Sequence, residues 1–155
     1  MASAQTWDVA GGYSYLRDTR TDLDFKRGWL VSAARNIHGV WAVGEADGHY
    51  NTLPLVIGDA DLSVHSFFAG GRLGAKVGPF HEFAQFLMGG IRSSGAAFGS
   101  SSSDFRGAIQ PGLGIDGPLP WRLRARAQLD MRILASEDWK LGEIRIAATL
   151  ARSFP

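Results

Sequence analysis

The chain has 155 residues, enough for one domain with a sizeable interior, and a formal net charge of +1, which argues against the strongly basic surface of a dedicated nucleic-acid binder. It has no cysteine, so neither a disulfide framework nor a thiolate metal site is expected. No apolar run reaches the roughly 18 residues of a transmembrane helix, but that leaves open a membrane β-barrel, whose signal is alternation.

The chain opens with MASAQ. Ala2-Ser3-Ala4 before Gln5 has the small-x-small form of a signal-cleavage site. Residues 1–5 are therefore read as a flexible N-terminus, a signal-cleavage remnant being the second reading, in a single domain over 1–155. Glycine is abundant (20 residues) and often paired, as at Gly11-Gly12, Gly70-Gly71 and Gly89-Gly90. Each internal glycine costs a helix about 1 kcal/mol relative to alanine, whereas barrels use glycine where the sheet bends. Helical apolar spacing is nowhere sustained, so the chain reads as all-β.

Eight strands are expected, near 6–17, 25–37, 39–50, 60–76, 79–93, 104–116, 120–134 and 141–154. Tight turns fall at 36–39, 76–79 and 116–120. Longer polar connections fall at 17–24, 51–60, 93–104 and 135–142. Short and long connections thus alternate, which in an antiparallel meander puts short turns and both termini at one end and long loops at the other. An even strand number lets the first and last strands pair and close the sheet.

The seventh strand carries the clearest pattern. In RLRARAQLDMRIL, Arg122, Arg124, Arg126, Gln128, Asp130 and Arg132 alternate with Leu123, Ala125, Ala127, Leu129, Met131 and Ile133. Successive strand side chains point to opposite faces, so one face is charged and the other apolar. Glu45 and Asp47 share a parity in the third strand, Arg72 and Gln85 lie in the fourth and fifth, and Arg145 lies in the eighth. Placed in the lumen, Glu45, Asp47, Arg72, Gln85, Arg124, Arg126, Gln128, Asp130 and Arg145 would form a paired polar network. Any charge left alone there would cost several kcal/mol. The opposite face, with Val31, Phe67, Met88, Leu129 and Ile146, would meet lipid.

Aromatic residues gather near strand ends, as two bilayer interfaces favour. Trp7, Trp41 and Trp121 fall at the short-turn end, and Tyr15, Phe25 and Tyr50 toward the long loops. Trp41 also shares the parity of Glu45, which leaves its place in a girdle open. Glu82 and Arg92 fall on the lipid face of the fifth strand, so the register there also stays open. The inverted polarity would give a soluble, calycin-like up-and-down barrel carrying a small apolar ligand. The charged face is too rich in glycine and alanine to make a good outside for such a barrel, and the membrane reading is preferred.

Six segments in order also resemble the bacterial outer-membrane β-barrel domain family, small eight-stranded barrels similar to the transmembrane domain of outer membrane protein A. They are DVAGGYSYLRD, EADGHYNT, SFFAGGRLG, PFHEFAQFLMGGIR, GLGIDGPLPWRLRARAQLD and EIRIAATLARSF. The resemblance implies an eight-stranded antiparallel up-and-down transmembrane β-barrel in the bacterial outer membrane, often without an assigned activity. Members usually end on an aromatic; here Pro155 follows Phe154, and Arg152 holds a place often apolar.

No catalytic residue is assigned. Some barrels of this size modify lipid A with a His and a Ser on one face, but His65 and Ser66 are adjacent and face opposite ways. His49 is read as a polar interior residue. The histidines show no metal-ligand spacing and the glycines no nucleotide loop, so neither metal nor cofactor is expected. The partners expected are the bilayer with its lipopolysaccharide, or detergent, and an unidentified loop-bound partner. A monomer, a plugged lumen and at most a narrow pore complete the reading.

Overall fold

A computed structural model describes residues 7–19, 22–55, 58–97, 100–135 and 139–155. Its elements are β1 (Trp7–Asp18), β2 (Leu23–Phe25), β3 (Arg27–Ile37), β4 (Val40–Leu55), β5 (Gly58–Val77), β6 (Phe80–Ala97), β7 (Ser100–Pro118), β8 (Leu123–Leu134) and β9 (Lys140–Phe154). Each pairs antiparallel with its sheet neighbour, and β1 also pairs with β9, which closes the sheet. Closure leaves no free edge along the body of the barrel.

β2 and β3 are one barrel strand broken at Lys26. Leu16 opposes Phe25 and Tyr13 opposes Trp29, so residues 26–28 face only Ser14 and Tyr15. The extra residue is a bulge, and it reverses which parity points inward. The barrel therefore has the eight strands expected. Following the register from Tyr13 through Trp29, Gly48, His65 and Arg92 leads to Phe105 on β7. Going the other way through Ala148 and Ala127 leads to Ile115, ten residues along (115 − 105). That stagger, a shear of ten, sets the tilt of the strands.

The polarity is that of a membrane barrel. Leu129 is 49% exposed while Arg126 is 4% exposed and Asp130 is fully buried. Val31, Phe67, Met88, Leu129 and Ile146 all lie on the outside. A soluble carrier needs the reverse, because burying apolar surface is its main source of stability. Toward the ends of β1 and β8 away from the short turns the lumen is apolar, and Leu16, Phe25, Val64, Ile91 and Leu134 belong to one packed cluster there.

The short turns are built by local chemistry. His38 and Gly39 both have positive φ, at 54° and 93°, as a two-residue turn matched to strand twist requires. Asn36 Oδ1 accepts the Gly39 N–H at 3.0 Å.

Several expectations are corrected. The segments 51–60 and 93–104 are not open loops: β4 and β5 pair from Trp41↔Arg72 out to Leu55↔Gly58, and β6 and β7 out to Ala97↔Ser100. Ladder hydrogen bonds are made by the backbone, so serine and threonine extend a hairpin as readily as apolar residues do. The third short turn is shifted to 119–122, because β7 continues to Pro118 and β8 starts at Leu123; Trp121 and Arg122 take left-handed φ of 61° and 59° there. Phe25 is not in a girdle: it is 4% exposed, turned inward by the bulge at Lys26. Trp41 follows the parity of Val43 and Glu45 and packs on the lumen side, while Val40 is exposed outside. Glu82 and Arg92 both face outward, so the fifth-strand register stands. Residues 1–5 and parts of the other connections lie outside the described residues.

Candidate functional site

Strand alternation delivers the lumen side chains. β4 sends in Glu45, Asp47 and His49, β8 sends in Arg124, Arg126, Gln128, Asp130 and Arg132, and β9 sends in Glu143 and Arg145. They form two connected clusters.

The first lies toward the short turns. Arg126 donates Nε to Asp116 Oδ1 at 2.7 Å and Nη2 to Asp8 Oδ2 at 2.8 Å. Arg124, half-buried, also bonds Asp8 and donates Nη1 to Ser153 Oγ at 2.6 Å. The Phe83 ring meets two guanidiniums, with its centroid 4.4 Å from Arg72 and 5.1 Å from Arg126. A ring face attracts such cations and replaces part of their lost hydration.

The second cluster fills the middle. Arg145 donates to Glu45 Oε2 at 2.6 Å, to Asp47 Oδ2 at 2.7 Å and, through Nε, to Asp130 Oδ2 at 2.9 Å. Arg132 bonds Asp47, Glu143 and Gln110, and its guanidinium lies 5.0 Å from the Phe68 ring. Gln128 donates to Glu45 and Asp130. Gln85 joins the clusters: it accepts from Arg72 at 2.8 Å and donates to Glu45 at 2.8 Å and Asp130 at 3.1 Å. Eight of the nine residues placed in the lumen network by sequence are thus buried, and Arg124 is partly so.

Asp8, Asp116, Arg132, Gln110 and Glu143 complete the network and were not in that set. Parity alone would have found Arg132, which continues the alternation of Arg126 and Asp130. Parity marks Asp8 and Asp116 as well: Asp8 shares the side of Ala10, opposite exposed Val9, and Asp116 lies opposite exposed Ile115. Among the described residues six buried carboxylates face five arginines, so their formal charges nearly cancel.

The structure also aligns Ser14, His49 and Asp47: His49 Nε2 lies 2.8 Å from Ser14 Oγ, and Nδ1 lies 3.3 Å from Asp47 Oδ1. All three are buried, and Asp47 is already held by Arg132, Arg145 and Ser66. A nucleophile needs room for a reacting carbon about 3 Å away. Ser14 and His49 are fully buried, so the row has no opening to the surface.

Outside, Trp7 and Trp121 are exposed at the short-turn end, Trp121 at 85%. Toward the other end, Trp29 Nε1 donates to the Tyr50 hydroxyl at 3.2 Å, and that hydroxyl lies 3.0 Å from His65 Nε2. Tyr15 is half-buried on the same outer side and donates to Asp24 Oδ1 at 2.8 Å. Among the described residues no cluster of His, Asp or Glu has the arrangement of a metal site.

No protein-family model matches the sequence, and no curated protein does. Solved structures do match it. The chain is similar to Neisserial surface protein A, with a TM-score of 0.76 at 12% identity over 98% of each chain. It is similar to the N-terminal β-barrel domain of Pseudomonas aeruginosa OprF, with a TM-score of 0.68 at 12% identity over 97% of this chain and 98% of that one. Ail, the attachment invasion locus protein of Yersinia pestis, gives 0.58 at 15% identity over 95% and 97%. The chain has the fold of the small eight-stranded outer-membrane barrels.

Proposed function

We propose that this chain is an integral protein of the bacterial outer membrane whose lumen is plugged and whose work is done by its outer wall and external hairpins, without catalysis. The observation that carries this reading is Arg145. Fully buried, it meets Glu45, Asp47 and Asp130 at once, in a lumen that eight strands make just wide enough for side chains to fill. Water entering there would have to displace charge-assisted hydrogen bonds, the strongest kind in proteins.

The partners that fit are the bilayer with its lipopolysaccharide and an external molecule met by the β4–β5 and β6–β7 hairpins. The closed sheet favours a monomer, and no cofactor or metal is needed. Ail has also been solved with the heparin analogue sucrose octasulfate. Here the hairpin walls mix Asp61 and Asp104 with Arg92 and Arg106, which does not favour a polyanion.

The test is refolding in detergent and separately in plain buffer, followed by electrophoresis with and without boiling and by conductance in planar bilayers. A detergent-dependent band that shifts on boiling, with at most narrow current steps, is expected. A monomer folded in buffer alone would overturn the membrane reading, and a large steady conductance would overturn the plug.

A further inference from the structure

Down the outside of β4, β5 and β6 the cross-strand rows change character in a fixed order. The top row pairs Thr52 with Asp61, joined by a 3.1 Å hydrogen bond. The next aligns Tyr50, Ser63, Ser94 and Ser103. Below it His65 faces Arg92. Below that come Ala46 beside Phe67, then Gly44, Ala69 and Met88. Hydroxyls, then an imidazole beside a guanidinium, then small and apolar residues thus follow one another on a single wall.

Two hollows accompany this order. The upper one, about 430 Å³, is bordered by Tyr50, Ser63, Arg92 and Ser94. The lower one, about 670 Å³, lies between Val31, Phe67 and Met88 over a floor of Gly44, Ala46 and Ala69. A Cβ added at Gly44 would meet nothing within 4 Å, so the floor is open. Between them Trp29 lies over Gly48, and Trp29, Tyr50 and His65 form a hydrogen-bonded collar.

Arg92 is the unusual element. Four other exposed strand arginines have company: Arg17 pairs with Asp22, Arg106 with Asp104, Arg35 lies over Trp7 and Arg152 over Phe154. Among the described residues Arg92 has no such partner, and neither has Arg27, the cross-strand neighbour of Tyr50 at the edge of the same wall. Exposed and unpaired at the border of the apolar band, the Arg92 guanidinium is free to take an anion from outside the chain.

We propose that this wall binds one phosphorylated glycolipid, with its phosphate on Arg92 beside His65, its sugar against the hydroxyls of Ser63 and Ser94, and an acyl chain in the hollow over Gly44 and Ala46. The second large apolar hollow, about 830 Å³ between Leu73, Ala84 and Leu113, is bordered by Glu82 and would repel such a headgroup. The proposal rests on the outer-membrane reading above.

The test uses the full chain refolded in detergent micelles, with lipid A as the probe and native mass spectrometry to count retained lipid. Dephosphorylated lipid A and phosphatidylglycerol are the comparison lipids. Wild type should retain one lipid A and neither comparison lipid to the same degree. Arg92→Gln should weaken retention about tenfold, the worth of one charge-assisted hydrogen bond. Ala46→Trp, which fills the floor, should do the same, and Ala84→Trp should change nothing.

Retention by Arg92→Gln equal to wild type, or equal binding of the dephosphorylated lipid, would overturn the site. Equal binding of phosphatidylglycerol would overturn the sugar assignment. Equal loss in Ala84→Trp and Ala46→Trp would reduce it to a general lipid effect. Each sample is also run boiled and unboiled: a wild type with no heat-shifted band would overturn the membrane reading instead.

Discussion

Arg145 on β9 and Glu45 on β4 are 100 residues apart in the chain, on strands that do not pair, and their side chains meet at 2.6 Å in the middle of the barrel. The same guanidinium reaches Asp47 and Asp130, so one cation serves three carboxylates. Arg145→Met should therefore destabilise the barrel by about 3–5 kcal/mol, because it leaves buried charges without their partner. Denaturant unfolding in lipid vesicles measures this; a loss below about 1 kcal/mol would mean that the network contributes little to the stability of the barrel.

The two faces of β8 give opposite substitutions. Leu129→Arg puts a cation on the lipid side, where the midplane cost is about 2–4 kcal/mol. Arg126→Gln removes a lumen cation, but Arg124 still contacts both Asp8 and Asp116. Folding yield in vesicles should fall much further for Leu129→Arg. Equal yields would contradict the assignment of faces.

Two glycines on the same wall separate close approach from open space. A Cβ at Gly89 would lie 1.8 Å from the Phe67 carbonyl oxygen, so backbone must move to admit it. At Gly44 there is no such neighbour. Gly89→Ala should lower the unfolding midpoint clearly, and Gly44→Ala should leave it within about 0.5 kcal/mol of wild type, as for an ordinary surface substitution.

The His38-Gly39 turn offers a smaller effect. Gly39 has a φ of 93°, where a Cβ is strained, and Gly39→Ala should cost about 1–2 kcal/mol with no change in the boiled and unboiled band pattern. Side-by-side denaturation with wild type settles it.

Much of the lumen was legible because the signal is local. Arg126, Gln128 and Asp130 alternate with Ala127, Leu129 and Met131, and no long-range information is needed to sort them. Phe25 was not legible. Its inward position depends on the bulge at Lys26, which exists because three residues of one strand oppose two of β1, a relation between strands that no parity count contains. The Ser-rich stretch before Asp104 misled for a related reason: side-chain polarity says loop, while the backbone of β6 offers a ladder that polar residues can join.

From sequence alone, then, the chain determines its alternation, hence its strands, their two faces and a charged inside, since side-chain direction along a strand follows from backbone geometry. Tertiary structure alone decides the shear of ten, and with it which carboxylate meets which guanidinium. Arg145 finds Glu45 rather than another acid because closure of β1 on β9 fixes how far each strand slides past the next. The His65–Arg92 row and the hollow beneath it on the outer wall arise the same way, from residues on neighbouring strands that only the register brings side by side.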